Sequence, residues 1–145
     1  MAVKIFLSTL ATLFAFSAFN APAYAADPAP NAEIHNFVKK RYTIKGSWNI
    51  VKEDGKTVIQ FNDDFKTKGG PDLKVFLHPA SVDDVTDHTT KNGVKVGVLK
   101  SNSGAQSYII PDNINVSDYK SVLIHCEAFS VLWGGFDIPH NNNAE

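Results

Sequence analysis

Cys126 is the only cysteine in the 145-residue chain. A lone thiol can pack as a small hydrophobe, bridge to another molecule, or act as a reactive or ligating sulfur. Nucleophilic thiol chemistry needs a base within hydrogen-bond reach, and the adjacent His125 is the first residue to consider. Strand alternation argues against that pair. Within Ser121-Val122-Leu123-Ile124-His125-Cys126, one face carries Val122, Ile124 and Cys126, and the other carries Leu123 and His125. The first set is apolar, so Cys126 is expected to point inward and His125 away from it, unless a bulge intervenes.

Other chemistries lack their residues. A blue-copper centre uses a Cys, two His and usually an axial Met. Here the sole Met is Met1, and no His lies between Cys126 and His140. Tetrahedral zinc needs Cys and His at shorter and more frequent spacings, so no metal site is expected. Covalent c-type haem needs Cys-x-x-Cys-His, which one cysteine cannot supply. Thiolate or His ligation of a non-covalent haem is permitted by the residues but not signalled by them. His78 and His88 bracket a loop from Pro79 to Thr90 that also carries Asp83, Asp84 and Asp87. It lacks the alternating acids and central Gly of a calcium loop and is read as solvated. His35 and His140 are also read as solvated. No nucleophile elbow, phosphate-binding Gly loop, zinc-protease motif or dinucleotide fingerprint occurs. Asn115-Val116-Ser117 is a glycosylation sequon, meaningful only in a eukaryotic source.

The elements that must position Cys126 read as strands. Trp48–Glu53 and Lys56–Phe61 flank Asp54-Gly55, a pair suited to the positive φ of a tight hairpin. The same reasoning predicts a hairpin at Asn92-Gly93, leading into Val94-Lys95-Val96. Leu73–Leu77 alternates and ends at His78-Pro79; Gln106–Ile110 ends at Pro111. Ser121–Cys126 is the most apolar run beyond the N-terminal region, which predicts a central strand. Residues 112–119 predict one helical turn ending near Tyr119. Short strands joined by Gly, Pro, Asn and Asp turns predict an all-β single domain, an antiparallel β-sandwich or a barrel-like fold.

Residues 1–25 have the form of a signal peptide. Lys4 precedes an apolar run from Ile5 to Phe19, and Ala23-Tyr24-Ala25 provides a cleavage signal. Cleavage before Ala26 would leave 120 residues with 13 basic and 15 acidic side chains, a net charge near −2. Residues 26–36 are expected to be a flexible leader, 37–138 the β domain and 139–145 a disordered tail. The expectation is a secreted or periplasmic protein with no membrane span after cleavage. The charge balance gives no basis for nucleic-acid binding, and Lys39-Lys40-Arg41 reads as a solvated strand edge.

The order of the punctuating residues resembles the DM13 family. These are Gly46-x-Trp48, Asp64-Phe65, Gly70-Pro71-Asp72-Leu73, Gly97-x-Leu99-Lys100, Gly104-x-Gln106-x-Tyr108-x-x-Pro111, and Tyr119-x-Ser121-Val122 running to Cys126 and Phe129. The resemblance covers about residues 37–138 and implies a small extracytoplasmic β-rich module. DM13 domains are proposed to act in electron transfer, with a near-invariant cysteine as a bare redox thiol or as a ligand to a group such as haem. Cys126 falls on that position, while His125 stands where the family commonly has an aromatic, often Trp. Any electron partner is expected to be a separate protein. On the redox reading, Trp48, Phe129 and Trp133 would shield the thiol. The alternative is a non-catalytic secreted binding or adhesion module that uses Trp133-Gly134-Gly135-Phe136 as an apolar contact patch.

Overall fold

The structure is a computed structural model that describes residues 35–140. The expected signal peptide, most of the expected leader and the last five residues lie outside the described residues. The strands are β1 (His35–Asn36), β2 (Val38–Lys39), β3 (Ile44–Lys45), β4 (Ser47–Glu53), β5 (Lys56–Phe61), β6 (Lys66–Thr67), β7 (Leu73–His78), β8 (Val94–Val98), β9 (Gln106–Ile110), β10 (Ser121–Cys126) and β11 (Val131–Asp137). One sheet has the order β1-β4-β5-β9, a second β2-β11-β10-β7-β8, and a two-stranded ribbon pairs β3 with β6. Every strand pairing is antiparallel. Among the described residues, the remaining regular structure consists of short 3₁₀ turns at Val82–Asp84, Thr90–Asn92, Val116–Asp118 and Glu127–Phe129.

The fold class expected from the sequence is the one observed, and its core explains why. The four-stranded sheet contributes Trp48, Ile59, Phe61, Tyr108 and Ile110. The five-stranded sheet contributes Leu73, Val75, Leu77, Val122, Ile124, Cys126, Trp133 and Phe136 to the same cluster. Phe37 joins the two layers, its ring lying 5.2 Å from Phe61 and 5.3 Å from Phe136. Trp48 stacks on Phe136 at 3.6 Å. The Asp54-Gly55 hairpin forms as expected, with φ of 48° and 77° at the two positions and Glu53 opposite Lys56.

Two local expectations need correction. His35 and Asn36, assigned to the leader, pair with Trp48 and Ser47. Asn92-Gly93 is not a hairpin turn: Thr90–Asn92 is helical, Gly93 has φ of −85°, and β8 pairs back onto β7. Gly104 has φ of 81° with nothing near its missing side chain, so its backbone conformation calls for glycine there.

β10 is the central strand, flanked by β7 and β11, and all six of its residues are buried. Burial on both faces requires a second apolar layer outside the sandwich. The segment after β7 supplies it: Val82 and Val85 pack with Phe76, Leu123 and Leu132. The loop read as solvated is therefore fastened to the sheet. His78 is buried, with Nε2–H donating to the Thr89 carbonyl at 3.1 Å and Nδ1 accepting from Ala80 N–H at 3.0 Å. Asp87 accepts from Leu132 N–H at 2.7 Å, and Asp137 accepts from Val82 N–H at 2.7 Å. Asp83 pairs with Lys40 at 2.9 Å, and Asp84 accepts from the Ser81 hydroxyl. Several of its acids are thus anchors.

Candidate functional site

Cys126 ends β10 and lies in the core cluster, fully buried with a relative exposure of 0%. Its side chain shares a face with Val122 and Ile124, while Leu123 belongs to the outer layer, as the alternation predicts. A bulge does intervene nearby, but on the neighbouring strand. Ile124 stands opposite Gly134 and His125 opposite Leu132, so Trp133 is the extra residue of β11. β10 keeps its alternation, and His125 and Cys126 remain on opposite faces. The geometry supplies no Cys–His nucleophile pair.

Immediately beyond Cys126 the chain surfaces. Glu127, Ala128, Phe129 and Ser130 are exposed, and Ser130 has φ of 51°. Phe129 is 68% exposed, so it does not shield the thiol. Trp48 and Trp133 are buried in the cluster that holds Cys126, and the Trp133 indole N–H donates to the Lys68 carbonyl at 2.9 Å. The contact patch expected at Trp133–Phe136 is buried throughout. Tyr108 buries its ring and places its hydroxyl between Lys100 N–H, from which it accepts, and Gln106 Oε1, to which it donates. Burial holds that phenol above its usual pKa.

The charges around this end of β10 form a network. Glu127 accepts from Lys74 at 3.0 Å and faces Lys95 at 3.7 Å, and Lys74 also pairs with Asp72. The Lys74 hydrogen bond holds the Glu127 carboxyl below its usual pKa, and Asp72 followed by Glu127 holds the Lys74 ammonium above its own. His125 is pushed down by burial, opposed by the negative charges of Asp87 and Glu127.

These directions fix a pH dependence. A group with a lowered folded pKa takes up its proton more readily in the unfolded chain, so acid favours unfolding. The His125 contribution is complete above its unfolded value of 6.5 and is lost as pH falls below it; that of Glu127 is lost below 4.5. Urea midpoints measured down the pH scale should therefore fall in two stages. The earlier stage should vanish in His125→Phe; a midpoint unchanged between pH 7 and about 5 would contradict the assignment.

Among the described residues, no group of three or more His, Cys, Asp or Glu is placed to hold a metal ion. No described helix is long and apolar enough to cross a membrane. A haem does not fit at Cys126 in this fold. An axial sulfur must present an open face to the iron, whereas this one is sealed among close-packed core side chains.

What distinguishes the molecule is a sandwich of this strand order with a solitary thiol ending its central strand. The family model described as "Electron transfer DM13" matches residues 36–138. The chain belongs to that family. Neither a curated protein nor a solved structure matches it significantly. Membership in DM13 supports a general redox or electron-transfer role. Sequence reasoning did not assemble the cluster on the other face of β10, where Phe76, Asp87, His88, Lys91 and Glu127 surround His125. The available signal was an apolar strand with a histidine on its second face, which needs a covering layer.

Proposed function

We propose that this DM13 chain is an extracytoplasmic electron-transfer module, that Cys126 is its redox group as a bare thiol, and that a separate redox protein is its partner. The observation that carries the reading is the position of the chain's only thiol. It is sealed at the end of the central strand, yet one residue from the exposed turn Glu127–Phe129. Reactive thiols need access to their oxidant, so the chemistry depends on local opening of that turn rather than on the closed state. Phe129, held out on the same turn, gives a partner an apolar point of contact beside the opening. The signal-like N-terminal sequence supports export. The contact patch of the alternative binding-module reading is buried in the core, and no other observation favours that alternative.

The test is thiol modification of the folded protein, followed by intact mass. Labelling should be slow in buffer and should accelerate in denaturant concentrations well below global unfolding, because only the turn must open. The redox activity should disappear in Cys126→Ala. Serine is the poorer replacement, since burying a hydroxyl without a partner costs about 1–3 kcal/mol. Electron transfer retained by a folded Cys126→Ala protein would remove Cys126 from the mechanism.

A further inference from the structure

The outer face of the five-stranded sheet carries a cavity of about 430 Å³. It lies across β10 from the thiol. Its floor is Phe76 and His125, whose rings meet edge to face at 6.0 Å, and Asp87, Lys91 and Glu127 stand at its rim. This volume falls in the range of about 300–1,000 Å³ typical of small-molecule sites.

His125 has no structural task that explains its nitrogens. The residue is 6% exposed, and its Nδ1 is buried without a hydrogen-bond partner. By contrast, both ring nitrogens of the other buried histidine, His78, are bonded. A buried bare nitrogen is better tolerated than a buried N–H with no acceptor, which assigns the proton of the neutral ring to Nε2. Nε2 is then the nitrogen left to meet an occupant of the cavity.

The rim is balanced in charge. Lys91 offsets Asp87, while Lys74 and Lys95 both reach Glu127. It therefore gives no strong selection for an ion. Each carboxylate has one oxygen engaged by the protein, Asp87 Oδ1 by Leu132 N–H and Glu127 Oε2 by lysine, so the other oxygen can accept a further hydrogen bond. A hydroxyl group matches this arrangement: its oxygen accepts from Nε2–H and its own proton goes to a carboxylate oxygen. The ring of Phe76 favours an apolar, aromatic body behind that hydroxyl.

We propose that this cavity binds a small neutral aromatic compound bearing a hydroxyl group, a phenol in chemical class, with His125 as the residue that recognises the hydroxyl. The site is independent of the thiol reading. Phenol itself is the probe, titrated into the full chain with ¹⁵N-labelled histidine and followed at the ring nitrogens. The expected result is a saturable shift at His125 that is the same in Cys126→Ala. Toluene, which lacks the hydroxyl, should bind at least about tenfold more weakly, and His125→Phe should weaken phenol by a similar factor. The phenol–toluene comparison on the native sequence holds even if His125→Phe does not fold. No saturable shift up to the solubility limit of phenol would overturn the proposal. So would equal binding of phenol and toluene, or tighter binding of benzoate.

Discussion

Phe61→Ala should lower the stability of the domain by about 3–5 kcal/mol, the usual range for removing a buried aromatic ring. Phe61 is 1% exposed and joins elements far apart in the chain. Its ring lies 4.8 Å from Phe65, 5.2 Å from Phe37, 5.4 Å from Tyr108 and 6.3 Å from Phe136. Truncation leaves a void bounded by rings from both sheets, which strand pairing prevents from collapsing inward. Small domains have about 5–15 kcal/mol in total, so a large part of the margin would go. The melting temperature should drop by roughly 15–25 °C, and urea unfolding should show a lower midpoint with an unchanged slope. A loss below about 1 kcal/mol would mean that the rings repack around the gap, contrary to the rigid core described above.

The second large effect belongs to Gly46, between β3 and β4. Its φ is +117°, and an added Cβ would lie 2.5 Å from the Phe65 Cα and 2.7 Å from the Phe65 nitrogen. Both groups are backbone, so no side-chain rotation relieves the contact. The unfavourable conformation costs roughly 1–3 kcal/mol and the forced shift of the Phe65 segment a similar amount, so Gly46→Ala should lose about 3 kcal/mol or more. Gly55 is the control. It also has a positive φ, +77°, but open space around it, so Gly55→Ala should lose only about 1 kcal/mol. Equal losses at the two positions, measured by chemical denaturation, would show that the Phe65 contact contributes nothing.

These positions show what the sequence makes readable. Alternation along Leu73–Leu77 and Ser121–Cys126, with the Asp54-Gly55 turn, contains enough local information to specify strands and the inward side of Cys126. Asn92-Gly93 misleads because an Asn-Gly pair satisfies a helical turn as well as a hairpin. The choice is made by distant contacts: Thr90 is wholly buried, and an added Cβ at Gly93 would lie 3.1 Å from the His78 ring. The Pro79–Thr90 loop misleads for a related reason. Its aspartates look solvated in one dimension, but Asp87 meets a backbone N–H 45 residues away. The gathering of Asp87 and Glu127 around His125 depends on that same long-range fold, so no local spacing announces it. Phe129 does not shield the thiol, because the chain reverses direction just after Cys126 and turns the ring outward.

The two tryptophans give the molecule an internal optical report. Trp48 belongs to one sheet, stacked on Phe136 of the other, while Trp133 belongs to the second sheet and is tied to the ribbon region through Lys68. Both indoles are dark to water in the folded state, at 3% and 4% exposure. Separation of the layers wets them together, whereas peeling of a single edge strand such as β8 wets neither. Emission colour therefore distinguishes parting of the sandwich from fraying at its rim, without any attached label.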